Sequence, residues 1–185
     1  MSVILITGGA GFIGSHCCNV LLEAGYELII LDSLINSSFE SIKRVSLISG
    51  KEFESNNQIK ILQGDIRNKD FLRKIFKDAQ SHKKIDGVIH LAGLKAVAES
   101  VKNPIEYWDV NVNGSINLFQ IMSEFNCFNL VFSSSATIYG FPEKIPISET
   151  EKISPINPYG NTKAAVEKIL YDLYKSNENL WKIIN

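Results

Sequence analysis

The stretch VILITGGAGFIGSH, Val3–His16, decides the fold, because an apolar run of strand length passes through glycines into a helical pattern. Gly8, Gly11 and Gly14 follow the spacing G-x-x-G-x-x-G. Counted from Gly9, the loop also satisfies G-x-G-x-x-G. Glycine lets the backbone approach a phosphate, and the next helix offers free N–H groups and a positive dipole end. The stretch predicts a strand, a phosphate-binding loop and a helix, although a tight turn without a ligand uses the same residues.

Strand-length apolar runs alternate with stretches at helical spacing along the chain. The predicted strands are VILIT from Val3, ELIIL from Glu27, IKILQ from Ile59, DGVIHL from Asp86 and NLVFSS from Asn129, with NLWKIIN beginning a sixth. The predicted helices lie near 12–24, 39–49, 68–82, 104–125 and 158–176. This alternation is typical of an α/β doubly wound parallel sheet. We predict one domain, residues 1–185, whose only long polar connection, NSSFESIKRVSLISGKEFESNN, is part helix and part exposed loop.

The composition excludes several classes of protein. With 45% hydrophobic residues, 21% charged residues and a formal net charge of −1, the chain has no general attraction to nucleic acid or to a membrane surface. No apolar run approaches the ~20 residues of a membrane span, and the start lacks a secretory pattern, so we expect a cytoplasmic protein. The cysteines form no C-x-x-C pair, and the histidines have no ligand at metal-site spacing, so we predict packing cysteines and no metal.

Asp32 ends the second predicted strand, 18 residues beyond Gly14. In dinucleotide-binding sheets, a carboxylate at this position accepts hydrogen bonds from the adenosine ribose and repels a 2′-phosphate. The position therefore favours NAD over NADP as the cofactor, and a turn residue that caps the next loop is the alternative. Asp65 and Ile66 follow the third strand, where the edge of the adenine would lie.

Tyr159 and Lys163 lie four residues apart in NPYGNTKAAVEK and therefore on one face of a helix. Asn157 and Pro158 are typical of an N-cap and a first helical residue. A lysine ammonium one turn away, together with a positive nicotinamide, would favour the phenolate of a tyrosine whose ordinary pKa is ~10, and so create a general base. Ser135 follows the fifth strand, where its hydroxyl would hydrogen-bond a substrate oxygen. An amphipathic helix with a snorkelling lysine is the alternative.

Five motifs occur in one order along nearly the whole chain: TGGAGFIG, GDIRN from Gly64, HLAGLKAVAESV from His90, FSSSATIYG from Phe132 and PYGNTK from Pro158. Together they resemble the extended short-chain dehydrogenase/reductase family and, within it, the UDP-hexose 4-epimerases. The resemblance implies a Rossmann-like fold. It also implies that Tyr159 and Lys163 are the catalytic pair and that Ser135 completes the catalytic site.

The resemblance further implies which residues contact the cofactor. Lys95 matches a family lysine at the nicotinamide end, with a solvated loop lysine as the alternative. Asn111 matches a family asparagine near the active site, with an amide that bonds nearby backbone as the alternative. The expected cofactor contacts are Gly8, Gly11, Phe12, Ile13, Gly14, Asp32, Asp65, Ile66, Ala92, Gly93, Lys95, Tyr159 and Lys163.

The reaction implied by the resemblance interconverts UDP-glucose and UDP-galactose. Bound NAD⁺ takes the C4 hydride of the UDP-hexose while Tyr159 takes the hydroxyl proton, and the hydride then returns to the other face of the 4-ketose. Family dehydratases carry an acidic residue directly after the serine. Ala136 and Thr137 follow Ser135 here, so the sequence favours an epimerase.

Family enzymes continue well beyond this length and use the extra chain for a substrate lobe. We therefore expect an NAD-binding domain that is incomplete at its C-terminal end and lacks that lobe. The chain is the N-terminal part of an enzyme, a short NAD-binding or regulatory module without catalysis, or a protein completed by another polypeptide. Family dimers pack the helices near 104–125 and 158–176, so we expect a homodimer unless the apolar side chains of these helices face the sheet. The candidate contacts are Ile116, Phe119, Leu170 and Tyr174.

Overall fold

One parallel sheet organises the computed structural model, which describes residues 2–51 and 58–185. The strand order within these residues is β3-β2-β1-β4-β5-β6. This order confirms the doubly wound α/β fold, and it reverses direction between β1 and β4. The strands are β1 Val3–Thr7, β2 Glu27–Asp32, β3 Ile59–Gln63, β4 Ile85–His90, β5 Asn129–Phe132 and β6 Lys182–Ile184.

The helices agree with the sequence prediction except in one region. The predicted helix near 104–125 contains a π-helical segment, Trp108–Asn113. The short helix Val97–Lys102 was not predicted, because six residues are too few to show a helical period. A 3₁₀ turn, Ala136–Tyr139, follows β5. The α-helices are α1 Phe12–Glu23, α2 Phe39–Ser49, α3 Lys69–Gln80, α4 Val97–Lys102, α5 Pro104–Tyr107, α6 Gly114–Glu124 and α7 Pro158–Ser176.

The predicted polar connection includes all of α2, which ends at Gly50 with a left-handed φ of +64°. Glycine adopts this conformation without the steric cost that a side chain adds, so it ends the helix. The rest of that prediction, residues 52–57, lies outside the described residues.

Apolar residues cover both faces of the sheet. Successive strand residues alternate between the two faces: Leu28 and Ile30 contact one cluster, whereas Ile29 and Leu31 contact the other. The first cluster lies under α1 and α2, and the second lies under α3, α6 and α7. Cys18 belongs to the first cluster and Cys127 to the second, which confirms their packing role.

Two of the four candidate dimer contacts belong to this core. Phe119 and Leu170 are 3% and 1% exposed and face the sheet, so they were wrong as contacts with a second copy. Ile116 is half-buried, and Tyr174 remains 38% exposed. Across 2–51 and 58–185, no helix combines the length and apolarity that crossing a membrane requires.

Candidate active site

Most of the predicted site residues end or closely follow a strand, at the carboxyl edge of the parallel sheet. Thr7, Asp32, His90 and Phe132 end β1, β2, β4 and β5, respectively. The strand order reverses between β1 and β4, and open α/β sheets bind ligands in the crevice at such a reversal. The topology therefore places one candidate site across these strand ends.

The glycine loop after β1 has no space for side chains. Gly8 has a φ of +72°, and a Cβ there would lie 2.7 Å from the backbone nitrogen of Ala92, in the loop after β4. A Cβ on Gly14 would collide with the backbone of Gly8 and Gly9. These glycines let the loop pack against both the β4 loop and α1, with its backbone open to a ligand.

Helix α1 begins beside this loop without a side-chain cap. Its N-cap residue is Gly11, and no side chain of the described residues caps it. The first two helical residues, Phe12 and Ile13, are 79% and 59% exposed. The N–H groups and the positive dipole end of α1 therefore suit a phosphate.

Asp32 is buried, at 6% exposure, and its carboxylate connects the glycine loop to the loop after β2. It accepts hydrogen bonds from the backbone N–H groups of Ala10 and Leu34, both at 2.9 Å, and from the Ser37 hydroxyl at 2.7 Å. The capping alternative is therefore present in the structure. A carboxylate has about four acceptor positions, so capacity for a ribose hydroxyl remains.

The Asp65 carboxylate forms an ion pair that the sequence analysis did not identify. It accepts from Arg67 Nη2 at 2.6 Å and from the Arg67 backbone N–H at 2.8 Å. Arg67 also donates to Asp109, at 2.8 Å, in the π-helical segment. The hydrogen bond from the Arg67 guanidinium holds the pKa of Asp65 below its ordinary value. Ile66 is only 4% exposed and belongs to the core cluster under α3, α6 and α7.

Helix α7 carries the predicted catalytic pair. The Asn157 side chain accepts the backbone N–H of Gly160 at 2.8 Å, which confirms the predicted N-cap. Tyr159 is 9% exposed, and Lys163 is 6% exposed. A snorkelling lysine would keep its ammonium in water, so that alternative was wrong.

The Lys163 ammonium lies between the carboxyl end of β5 and the ring of Tyr159. It donates to the Ser133 carbonyl at 2.8 Å, lies 4.7 Å from the ring centre of Phe132, and lies 6.0 Å from that of Tyr159. Burial lowers the pKa of Lys163 to about 8. The side chain is therefore mainly protonated at neutral pH and still able to titrate in mild alkali.

Ser135 caps the 3₁₀ turn after β5. Its hydroxyl oxygen accepts from the Thr137 hydroxyl at 2.9 Å and from the Thr137 backbone N–H at 3.3 Å. No acceptor for the Ser135 hydroxyl hydrogen lies among the residues that the structure describes. Ser135 can therefore donate to a ligand oxygen in front of the strand end.

Asn111 fixes the β4 loop to α7, in agreement with the alternative that it bonds nearby backbone. Its amide oxygen accepts the Leu94 N–H at 2.8 Å, and its amide nitrogen donates to the Leu94 carbonyl at 2.9 Å and to the Thr162 hydroxyl at 3.0 Å. Gly93 is packed closely, because a Cβ there would lie 3.0 Å from the Asn111 amide oxygen. Lys95 is exposed on the same loop.

His90 is a buried site residue to which the sequence analysis gave no chemistry. It is 0% exposed, and its ring nitrogens lie 2.7 Å from the Thr7 hydroxyl oxygen and 2.9 Å from that of Ser115. Burial, with a contribution from the charge of Lys163, lowers the pKa of His90 to about 3. The ring is therefore neutral at physiological pH.

A parallel sheet whose strand order reverses, a glycine loop at that reversal and a buried tyrosine–lysine pair are the features of an α/β protein of the extended short-chain dehydrogenase/reductase type. The sequence matches the GDP-mannose 4,6 dehydratase family over residues 5–185, and the chain belongs to that family.

The chain is also similar to individual relatives of known name. It is 46% identical over 181 residues to UDP-glucose 4-epimerase 2 of Arabidopsis thaliana, a match that covers 98% of this chain and 49% of the relative. It is 49% identical over 181 residues to the bifunctional UDP-glucose 4-epimerase and UDP-xylose 4-epimerase 1 of Pisum sativum, covering 98% and 50%.

A solved structure gives the same result. UDP-glucose 4-epimerase from Bifidobacterium longum, in complex with NAD⁺ and UDP, superposes with a TM-score of 0.90 at 40% identity and covers 98% of this chain and 51% of that one. The chain therefore spans about half the length of the relatives that it matches.

Proposed function

We propose that the chain binds NAD and forms the cofactor-binding and catalytic half of an enzyme that interconverts UDP-glucose and UDP-galactose. The observation that carries this proposal is the buried pair Tyr159 and Lys163, whose ammonium lies at the carboxyl end of β5 beside the β4 loop. Relatives named as UDP-glucose 4-epimerases support it at 46% and 49% identity.

The residues at the strand ends fit a dinucleotide. The loop from Gly8 to Gly14 and the start of α1 would hold the pyrophosphate, because glycines pack this loop too closely for side chains and the N–H groups of α1 have no side-chain cap. The carboxylate of Asp32, at the end of β2, suits the adenosine ribose, and the backbone of Asp65 and Ile66, at the end of β3, suits the adenine. The residues at the ends of β4 and β5 would then hold the nicotinamide, which would supply the hydride acceptor when bound.

The chain's own residues provide the proton transfer. Tyr159 accepts the proton of the sugar hydroxyl, and the Lys163 ammonium, 6.0 Å from its ring centre, favours the phenolate that does so. Ser135 donates its hydroxyl hydrogen to the sugar oxygen and so orients it. Lys95, on the exposed β4 loop, lies on the nicotinamide side of the site.

Epimerisation fits the site better than the dehydration for which the family is named. Elimination of water from the sugar requires an acid beside the serine, whereas Ser135 is followed by Ala136 and Thr137. The Thr137 hydroxyl donates to Ser135 at 2.9 Å, so it is already engaged with that residue.

The experiment compares the 185-residue chain with a chimera that joins it to the C-terminal half of the Pisum sativum relative. We expect both to bind NAD⁺ by calorimetry and only the chimera to convert UDP-galactose, because turnover requires the sugar to be held within reach of the nicotinamide. In the chimera, Tyr159→Phe lowers turnover at least ~100-fold, as loss of a general base does, and leaves NAD⁺ affinity unchanged.

The same experiment separates the alternatives. An inactive chimera that binds NAD⁺ supports a regulatory module without catalysis, and full activity in Tyr159→Phe removes the proposed base. Turnover by the 185-residue chain alone would contradict the need for a separate substrate lobe.

We further propose that the protein is cytoplasmic and forms a homodimer through the face of α7 that carries Tyr174, which is 38% exposed. Light scattering at high concentration tests the assembly, and a monomeric mass contradicts it.

A further inference from the structure

His90 ends β4 directly beneath the proposed site, yet it has no role in the proton transfer. Its ring joins two elements that are distant in the sequence, because Nδ1 lies 2.7 Å from the Thr7 hydroxyl oxygen of β1 and Nε2 lies 2.9 Å from the Ser115 hydroxyl oxygen of α6. All three side chains are at most 1% exposed. A buried imidazole with a partner at each nitrogen is fixed in orientation.

The hydrogen bonds around His90 permit a single arrangement of protons. The Ser115 hydroxyl donates to the Asn111 carbonyl, so its oxygen is an acceptor toward the ring, and Nε2 must carry the hydrogen. In the neutral ring Nδ1 is then an acceptor, and the Thr7 hydroxyl donates to it. The Thr7 oxygen in turn accepts the backbone N–H of Ala92 at 3.4 Å.

This chain of hydrogen bonds holds the β4 loop at two points. At one end is Ala92, whose nitrogen lies 2.7 Å from the position that a Cβ on Gly8 would occupy. At the other end is Asn111, whose side chain accepts the Leu94 N–H at 2.8 Å. His90 lies between them, so its orientation is coupled to the distance between the glycine loop and the β4 loop.

The ring of His90 also packs against the support of the catalytic lysine. Its centre lies 5.6 Å from that of Phe132, and the Lys163 ammonium lies 4.7 Å from the Phe132 ring centre. His90 therefore contacts the structure beneath the nicotinamide side of the site and has no contact of this kind with the loops after β2 and β3 among the described residues.

We propose that His90 is a positioning residue for the nicotinamide half of the cofactor: through Thr7 and Ser115 it holds the loop Leu91–Lys95 in the place where that half binds. The inference rests on the proposed NAD site. It predicts that loss of His90 weakens binding of the whole dinucleotide and leaves binding of its adenosine diphosphate half unchanged.

The test measures the affinities of NAD⁺ and ADP by calorimetry for the wild-type chain and three variants. His90→Phe keeps a ring and removes both hydrogen bonds, Thr7→Val removes the donor to Nδ1, and His90→Asn keeps an acceptor where Nδ1 was. We expect His90→Phe and Thr7→Val to bind NAD⁺ about tenfold more weakly and ADP within about twofold of wild type. His90→Asn keeps the acceptor for Thr7 but loses the donor to Ser115, so we expect its loss of NAD⁺ affinity to be smaller than that of His90→Phe.

Other patterns of NAD⁺ and ADP affinity would overturn the inference. Equal losses for NAD⁺ and ADP show a general structural role, and unchanged NAD⁺ affinity in the variants shows no positioning role. If His90→Phe does not fold by circular dichroism, Thr7→Val and His90→Asn decide the question between them. A wild-type chain that binds neither ligand removes the proposed function itself, whereas variants that match an NAD-binding wild type remove only the role of His90.

Discussion

The site has two halves that are held together in different ways. The phosphate-loop half, at the ends of β1, β2 and β3, contains several contacts between residues close in sequence. The carboxylate of Asp32 accepts from Leu34 and Ser37, two and five residues away, and that of Asp65 accepts from Arg67, two residues away. Each of these contacts joins partners within one short stretch of sequence, although the pair of Asp65 and Arg67 was not identified from the sequence.

The tyrosine half, at the ends of β4 and β5 and the start of α7, depends on distant partners. His90 bonds Thr7 across 83 residues, and Lys163 bonds the Ser133 carbonyl across 30. Burial lowers the pKa of both Lys163 and His90 in this half, whereas the hydrogen bond from Arg67, in a half-buried ion pair, lowers the pKa of Asp65 in the other. The comparison teaches that motifs show where the candidate catalytic pair lies but not which distant residues support it.

The largest effect is expected in the phosphate-loop half. Gly14→Ala should weaken NAD⁺ binding about 100-fold or more, because the new Cβ collides with the backbone of Gly8 and Gly9 and displaces the loop. Gly25→Ala is the control: Gly25 has a φ of +85° and no neighbour within 4 Å of a Cβ, so this change costs about 1 kcal/mol of stability without affecting binding. Calorimetry measures both, and wild-type affinity in Gly14→Ala would contradict the role of the loop.

The next effect is in stability and belongs to the tyrosine half. Lys163→Met should raise the free energy of unfolding at pH 7 by about 2 kcal/mol, because it removes a buried charge while losing one hydrogen bond. The folded pKa of about 8 lies below the unfolded value of 10.5, so between these values the unfolded chain binds more protons. The free energy of unfolding of the wild type therefore rises with pH in that window, by up to about 1.4 kcal/mol per pH unit. The difference in stability between Lys163→Met and the wild type shrinks accordingly.

Urea unfolding from pH 7 to 10.5 measures this difference. Lys168→Met is the matched control on the same helix, because the Lys168 side chain is 67% exposed and its ion pair with Asp172 is on the surface. Wild type and Lys163→Met curves that stay parallel with pH would show that Lys163 is not desolvated.

A smaller effect concerns the choice of cofactor. The wild type should bind NAD⁺ at least about tenfold more tightly than NADP⁺, because the buried Asp32 carboxylate repels a 2′-phosphate. Asp32→Asn should reduce this preference for NAD⁺ over NADP⁺ because it removes the charge. This variant tests the phosphate-loop half of the site. Equal affinities in the wild type, measured by calorimetry, would leave Asp32 with only its capping role.

The smallest effect is expected at the ion pair between Arg67, in the loop after β3, and Asp109, in the π-helical segment. Asp109→Asn should lower stability by about 0.5 kcal/mol in low salt and less in high salt, because Arg67 and Asp109 are 35% and 44% exposed in their side chains and water screens them. Urea unfolding at two salt concentrations measures it. A loss of several kcal/mol would mean that this pair is part of the buried support.

Several features were predictable because their causes are local. Helix α7 begins where Asn157 and Pro158 predict, and Tyr159 and Lys163 share its face because of the helical repeat. The roles of Arg67 and His90 were missed, although both lie in the quoted motifs. Their partners are distant in the sequence: Arg67 bonds Asp109, and His90 bonds Thr7 and Ser115.

The sequence by itself determined the strands, the longer helices apart from the π-helical segment, the glycine loop and the cap of α7, because apolar periodicity and backbone sterics act over a few residues. Only the tertiary structure decided that Lys163 points inward, that Phe119 and Leu170 face the sheet, and that His90 is neutral. Those properties depend on which distant groups exclude water from a side chain and which atoms remain to bond it. Burial and hydrogen bonding across the sheet therefore turned a recurring tyrosine–lysine spacing into a site.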